Sequence, residues 1–200
     1  MNKEKKARLE QDPIICKRAD MVTDLICSIP GEVAGRSGLE ETPLRVAAMY
    51  NELFAGYMQD AEQILNDAIF DDVNSKDLVL VKNIEFTSMC EHHMMPFFGT
   101  VAIAYVPQDG RVVGLSKLAR IVEVYARRLQ VQERLGSQIA DVIEKVMNPR
   151  GVAVIIKAEH TCMTARGIKK PGSQTVTSCL RGSFFLDGKA REELYNAMKL

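Results

Sequence analysis

The order of elements after residue 77 constrains the fold of this chain more than any other feature of its sequence. Two β-branched, apolar stretches come first, two stretches with apolar residues at helical spacing follow, and two more apolar stretches complete the order. The sequence therefore predicts strand, strand, helix, helix, strand, strand. Hairpins that flank a helix pair favour an antiparallel sheet with helices on one face, an α+β architecture. Such a sheet leaves open edges and a second face to cover, so we expect an oligomer.

Upstream of this unit the sequence predicts helices. Thr42 and Pro43 form a cap and first-turn pair, and Asp60 with Gln63 resembles a capping box. Downstream, Ser116 is predicted to cap the first helix of the pair, "NPRG" to stop the second, and "KAREELYNAMKL" to form a closing helix. We therefore expect a helical region over residues 1–75 and a strand-and-helix region over residues 76–200.

The overall composition excludes several classes of protein. Lys+Arg and Asp+Glu both number 26, so the net charge gives no sign of a nucleic-acid or membrane-surface partner. Apolar runs such as "TVAIAYV" are too short to span a bilayer, and "MNKEKKARLEQD" lacks the apolar segment of a signal peptide. The five cysteines are an odd, widely spaced set, which argues against a disulfide framework. These features predict a cytoplasmic protein.

All three histidines lie beside cysteine, in "SMCEHHMMPFFG" and in "AEHTCMTARG". Cys90 and His93 have the C-x-x-H spacing of a zinc half-site, and Cys162 is the matching thiolate of the second stretch. A structural zinc needs four protein ligands, whereas three leave a position for water, as in a catalytic site. A lone C-x-x-H pair is usually incidental, but two clusters that hold every histidine favour a metal.

His92 and His160 remain as spare imidazoles beside the predicted metal, which suits general acid–base groups. Neighbours in an extended segment point to opposite sides, so we expect His92 and His93 to have different roles. The other cysteines, Cys16, Cys27 and Cys179, are interpreted as small hydrophobic residues.

A second pattern is a basic cluster at the predicted start of a helix. Ser116, Lys117 and Arg120 would present cations together with free backbone N–H groups, which suits a phosphate. A solvated basic face is the simpler interpretation of that stretch alone. Arg166 lies four residues after Cys162, and its charge favours a polyanionic substrate. No phosphate-binding Gly-x-x-x-x-Gly-Lys-Ser/Thr loop occurs, so phosphate would be held rather than transferred.

Three long motifs resemble those of the GTP cyclohydrolase I family. They are "SMCEHHMMPFFG", "GLSKLARIVEVYARRLQVQERL" and "EHTCMTARGIKKPGSQTVTS", with "EETPLRVAAMY" upstream, and they cover about residues 40 to 185 in the family's order. The resemblance implies the tunnelling fold, assembled as a toroidal decamer with active sites at subunit interfaces. It also implies GTP as the substrate, with hydrolytic opening of the guanine imidazole ring, release of formate and rearrangement to 7,8-dihydroneopterin triphosphate.

The resemblance assigns roles residue by residue. It implies that Cys90, His93 and Cys162 bind Zn²⁺, that His92 and His160 act as acid–base groups, and that Ser116 assists the ribose rearrangement. It implies further substrate contacts, in which two residues recognise guanine and four reach the triphosphate, with Arg45 coming from a neighbouring subunit: Gln132, Glu133, Lys117, Arg120, Arg166 and Arg45. It leaves a regulatory partner, the folate or tetrahydrobiopterin branch, and the role of residues 1–40 undefined.

Two other functions are compatible with parts of this pattern. Another tunnelling-fold enzyme of purine or pterin chemistry, such as a deazaguanine reductase, needs a nucleophilic cysteine that faces the base. A non-catalytic, zinc-stabilised interaction module needs a fourth strong protein ligand, and the sequence offers no second C-x-x-C or C-x-x-H pair.

Overall fold

The computed structural model describes residues 1–199, without the side chain of Asp72, and it divides into two compact units. Leu200, the last residue of the predicted closing helix, lies outside the described residues. The first unit, Met1–Phe54, is helical. Its helices are α1 (Lys3–Leu9), α2 (Pro13–Cys27) and α3 (Thr42–Leu53). Asp12 caps α2 by accepting hydrogen bonds from the first turn, and the proline that follows suits the first helical position.

The second unit, Ala55–Leu200, carries the sheet. Its elements are a 3₁₀ turn (Ala55–Met58), α4 (Ala61–Asn66), β1 (Ile69–Ser75), β2 (Val79–Cys90), β3 (Met95–Val106), β4 (Gly110–Val113), α5 (Leu115–Ala126), β5 (Leu129–Gln130), α6 (Gln132–Met147), β6 (Gly151–His160), α7 (Thr161–Thr164), β7 (Thr175–Gly182), α8 (Ser183–Leu186) and α9 (Gly188–Lys199). Strands β2, β3, β6 and β7 run antiparallel in that order, and β5 adds a short parallel edge beside β2. The predicted order of two strands, two helices and two strands is confirmed.

Helices α5 and α6 pack on one face of this sheet, as predicted. Alternate residues of β3 point to that face, namely Phe97, Val101, Ile103 and Tyr105, each nearly inaccessible to solvent. The helices supply the other half of the core with Leu118, Ile121, Val122, Leu135, Ile139 and Ile143. Each such side chain stabilises the fold by about 1.5–3 kcal/mol when fully buried. The site residues described below therefore stand on a rigid layer.

The opposite face of the sheet is covered over a smaller area. A second apolar cluster joins Ala104 and Ala153 of the sheet to Phe184 of α8 and Leu194 of α9. Phe185 and Leu186 remain exposed next to it. Within residues 1–199, no helix is long and apolar enough to cross a membrane.

The helix starts correct two sequence predictions and confirm a third. Ser116 does not cap α5: the helix begins at Leu115 with Gly114 at the N-cap, so Ser116 is its second residue. Thr42 is likewise the first residue of α3, after Glu41 at the N-cap. Asp60 does cap α4, because its side chain accepts from the backbone N–H groups of Glu62 and Gln63.

Candidate functional site

The first histidine motif forms the turn of the β2–β3 hairpin. β2 ends at Cys90 and β3 begins at Met95, which pairs with Cys90. The N–H of Met94 donates to the carbonyl of Cys90 at 2.8 Å, and Met94 has a left-handed backbone with φ 51°. His92 and His93 therefore lie on an exposed tight turn, and the prediction that they belong to an extended segment is wrong. Their rings still diverge, with an interplanar angle of 76°.

The turn brings one ligand set together with the second motif. One potential ligand atom from each of Cys90, His93 and Cys162 lies within 4.8 Å of the other two. Tetrahedral zinc bound at 2.0–2.3 Å separates such atoms by roughly 3.3–3.8 Å, so a small contraction completes the site. Two sulfur donors and one imidazole are a donor set that zinc accepts, and among the described residues the group has three members.

Sheet register positions Cys162 beside the hairpin. β6 pairs with β3 along its length and ends at His160, directly before the single-turn helix α7 that carries Cys162. The hydroxyl of Thr161 donates to the carbonyl of Pro96 at 2.6 Å and ties this turn to β3. Burial raises the pKa of the Cys162 thiol, and the neighbouring Cys90 raises it further. A bound cation would instead favour both thiolates, because the thiolate is the form that binds metal.

His160 is held against the same corner of the sheet. Its ring stacks on that of Phe97 with centroids 4.6 Å apart and planes 2° from parallel. Its Nε2 atom lies 2.8 Å from Oε1 of Gln132. Burial lowers the pKa of His160 below its usual value, while the carboxylate of Glu133 opposes that shift. An imidazole is the side chain best suited to proton transfer near neutral pH.

Gln132 is the first residue of α6, and its side chain is 1% exposed. Its Nε2 atom donates at 3.1 Å to three oxygens on β6 and β7: the carbonyls of Ile156 and Thr175 and the hydroxyl of Thr177. Both ends of the amide thus have partners within the chain.

Glu133, the next residue, is exposed and lines a recess of about 550 Å³ with Gly136, Thr177 and Arg181.

An ion pair joins the turn between β2 and β3 to α6. Both guanidinium Nη atoms of Arg134 donate to the carboxylate of Glu91, at 2.6 and 2.8 Å. This hydrogen bonding lowers the pKa of Glu91. Sequence reasoning assigned no role to either residue, because only the folded chain shows that the turn and the start of α6 meet.

The predicted phosphate residues lie elsewhere. Ser116 and Arg120 are exposed and Lys117 is half-buried near the start of α5, and Arg120 lines a separate recess of about 460 Å³. Strand β5 begins three residues after the end of α5 and pairs with Met89–Cys90. The end of α5 therefore lies near Cys90. The start of α5 is therefore about 15 Å further along the helix axis, at 1.5 Å per residue. The candidate ligand group of Cys90, His93 and Cys162 and the basic cluster therefore lie toward opposite ends of α5.

The last two predicted cations differ in their surroundings. Arg166 is exposed, and its charge offsets part of the rise in the pKa of the Cys162 thiol that burial and Cys90 cause. Arg45 lies in the first unit, exposed, and pairs with Glu41 at 2.6 Å. Its predicted substrate role stays a prediction.

Comparisons with known proteins identify strong relatives along most of the chain. The family model described as GTP cyclohydrolase I matches residues 19–199. GTP cyclohydrolase 1 of Thermoanaerobacter pseudethanolicus is 54% identical over 173 residues, covering 86% of this chain and 90% of that protein. The enzymes of the same name from Caldanaerobacter subterraneus subsp. tengcongensis (55% identity; 82% and 86% covered) and Geobacillus kaustophilus (51%; 88% and 92%) are similar to a comparable degree. A crystal structure of the archaeosine synthase QueF-Like in the apo form covers 55% of this chain and 97% of its own at 21% identity, with a TM-score of 0.46, a likeness too low to bear on function.

Proposed function

This chain belongs to the GTP cyclohydrolase I family, and we propose that it carries out the family's reaction at the corner formed by Cys90, His93, Cys162 and His160. The reaction opens the imidazole ring of GTP hydrolytically, releases C8 as formate and rearranges the ribose to give 7,8-dihydroneopterin triphosphate, the first step of folate and pterin biosynthesis. The observation that carries this assignment is that potential ligand atoms of Cys90, His93 and Cys162 lie within 4.8 Å of one another. His160, two residues before Cys162, is half-buried and stacked on Phe97.

Cys90, His93 and Cys162 are the residues that would hold Zn²⁺. When bound, the ion would supply Lewis acidity, which would acidify a water molecule for hydrolysis at C8 of guanine. Three protein ligands are the number that leaves a position for water, and a non-catalytic structural zinc needs four. The donor set therefore supports catalysis over the interaction module.

His160 transfers a proton to N7 of guanine, which makes C8 more electrophilic and promotes the addition of water there. Its stacking on Phe97 fixes the plane of the ring, so that a nitrogen meets the substrate in one orientation. His92 lies on the turn with Nδ1 3.8 Å from Sγ of Cys90, outside the ligand set. Its proposed role is to move a proton during the ribose rearrangement, together with Ser116 of a neighbouring subunit. Positioned groups of this kind contribute about 10²–10⁴-fold to a rate.

The direct test of this function uses the purified chain and GTP. We expect formate release and the fluorescence of the pterin product in equal amounts, and neither product from ATP. A purified, zinc-loaded chain that releases no formate from GTP would exclude the proposed function.

Glu133 is proposed to recognise guanine, because its exposed carboxylate can accept two N–H bonds from the guanine edge. Adenine offers no matching pair of donors. Losing a charge-assisted hydrogen bond costs about 1.5–3 kcal/mol. We therefore expect Glu133→Ala to lower kcat/KM for GTP by at least about tenfold. Glu144→Ala, which removes an exposed carboxylate from the same helix, is the matched control and should leave GTP turnover unchanged. Unaltered turnover and nucleotide selectivity in Glu133→Ala would rule this role out.

The substrate triphosphate is proposed to bind Lys117, Arg120, Arg166 and Arg45, with Ser116 beside it. Ser116, Lys117 and Arg120 stand roughly 9–15 Å along α5 from the end that lies beside Cys90. A site that uses both ends of α5 is most simply formed when the start of α5 in one subunit faces the metal corner of another. The open sheet edge at β7 and the exposed apolar residues of α2, Ile14, Met21 and Leu25, also favour assembly. The working unit we propose is a toroidal decamer with interfacial active sites.

Light scattering on active enzyme tests this assembly. We expect the mass of ten chains, and we expect Arg120→Ala to raise KM for GTP while zinc content stays unchanged. An active monomer would contradict the split site.

A reducing compartment, the cytoplasm, fits this chemistry. All five cysteines are free thiols, including the two proposed ligands. The structure and the comparisons assign no regulatory partner.

A further inference from the structure

The contact between Gln132 and His160 has a direction that the surrounding atoms fix. Nε2 of Gln132 lies 3.1 Å from two backbone carbonyls and one hydroxyl. A carbonyl oxygen only accepts hydrogen bonds, so the amide nitrogen must face Ile156 and Thr175. The reversed amide would place its oxygen against both carbonyls and leave the nitrogen facing His160. The amide oxygen is therefore the atom that faces the histidine.

That orientation decides which nitrogen of His160 carries hydrogen. An amide oxygen accepts and never donates, so Nε2 of His160, 2.8 Å away, must be the donor. A neutral imidazole has a single N–H group, and here it is at Nε2. Nδ1 then carries the free lone pair.

We propose that Gln132 is a positioning residue that fixes the ring orientation and tautomer of His160, so that Nδ1 is the atom that exchanges a proton with the substrate. This inference rests on the proposed function and replaces direct contact of Gln132 with guanine, because the Gln132 side chain is 1% exposed and both ends of its amide are engaged. In the step, the Nδ1–H bond of the imidazolium breaks and the proton passes to N7 of guanine. The bonding pair stays on Nδ1, and the neutral ring that remains already has its hydrogen on Nε2, donated to Gln132.

Two further contacts make the arrangement rigid. Phe97, fully buried, stacks on His160 and prevents the ring from tilting. The donors of Gln132 reach β6 and β7, so the amide is anchored to strands rather than to a loop. Buried polar networks of this kind hold a geometry when every member has a partner.

The primary measurement is the tautomer of His160 in the zinc-loaded wild-type enzyme. The chain has three histidines, so ¹⁵N-histidine labelling gives few signals, and His160→Ala identifies the signal of interest. We expect neutral His160 to be protonated at Nε2. Protonation at Nδ1 would overturn the proposal. Because this measurement is made on the wild-type enzyme, it does not depend on whether a Gln132 variant folds.

Kinetics supply the second measurement. Gln132→Met keeps the length of the side chain and removes the amide, and we expect kcat to fall roughly 10- to 100-fold with KM for GTP changed by no more than about twofold. In the His160→Ala background, the same change should cause no further loss, since Gln132 acts through that ring. Gln138→Met, which removes another amide from α6, is the control and should keep wild-type kcat.

Three outcomes separate this inference from the proposed function. A raised KM with unchanged kcat in Gln132→Met would mean that Gln132 contacts substrate directly. Equal losses of rate with and without His160 would mean a general structural role. In both cases the positioning role fails, but the proposed function stands because the wild type turns over GTP. Only a wild-type enzyme that is inactive on GTP would exclude the proposed function.

Discussion

Replacing His160 by alanine is expected to lower GTP turnover by about 10²–10⁴ while zinc stays near one per chain. The ring lies at the end of β6, stacked on Phe97 and bonded to Gln132, and it is not part of the ligand group. Its removal takes away the proposed proton donor and leaves Cys90, His93 and Cys162 unchanged. Formate release and zinc by atomic absorption, measured on the same preparation, check both halves of the prediction.

The loss must be separated from damage to the fold. A stacked aromatic pair contributes about 0.5–1.5 kcal/mol to stability. His160→Ala removes the stacking of its ring on Phe97 and therefore also lowers the stability of the fold. The thermal midpoint of His160→Ala should fall by only a few degrees, roughly as expected for 1 kcal/mol in a chain of this size. His92→Ala is the companion variant: it should lose turnover and keep zinc with little change in stability, because His92 is exposed. Retained turnover in His160→Ala would contradict the proton-transfer role.

Replacing any one of Cys90, His93 and Cys162 by alanine is expected to abolish zinc binding and turnover together. Each variant removes one of the three proposed protein ligands, and the two that remain cannot close a tetrahedral site. No ring-opened product should form, whereas His160→Ala can still accumulate some formyl-bearing intermediate. Cys27→Ala, which removes an exposed thiol from the helical unit, is the control and should match wild type in metal and rate.

The neighbouring histidines give the sharpest contrast within this set. His93→Ala should lose the metal and His92→Ala should keep it, although the two residues are adjacent on one turn. The reverse result would exchange their roles and contradict the ligand assignment.

The candidate ligand group was predictable because the sequence marks it twice. Histidine is scarce in this chain and every copy stands beside a cysteine, so Cys90, His93 and Cys162 could be selected without a fold. The order of the main strands and helices was predictable for a similar reason: the alternation of β3 and the helical stripes of α5 and α6 are strongly apolar.

Contacts that depend on packing were not predictable. Strand β1 contains "DDVNS", too polar to signal a strand, and it forms through pairing with β4 in an irregular register. Helix α5 begins at Leu115, and Gly114 rather than Ser116 is its N-cap. A serine close to the start of a helix predicts a cap from sequence alone, whether it is the N-cap or the second helical residue. The Gln132–His160 and Glu91–Arg134 contacts join residues 28 and 43 positions apart, and only the placement of α6 over the sheet brings them together.

The most direct test of zinc-dependent catalysis at this corner is a titration of metal-free enzyme with zinc. Chelated wild-type protein should release no formate from GTP, and activity should rise in proportion to bound zinc until about one ion per chain is reached. The same titration of Cys162→Ala should give no activity at any of these zinc contents. Formate release by wild-type enzyme with no bound metal, or full activity in zinc-titrated Cys162→Ala, would contradict the assignment of the reaction to Cys90, His93 and Cys162.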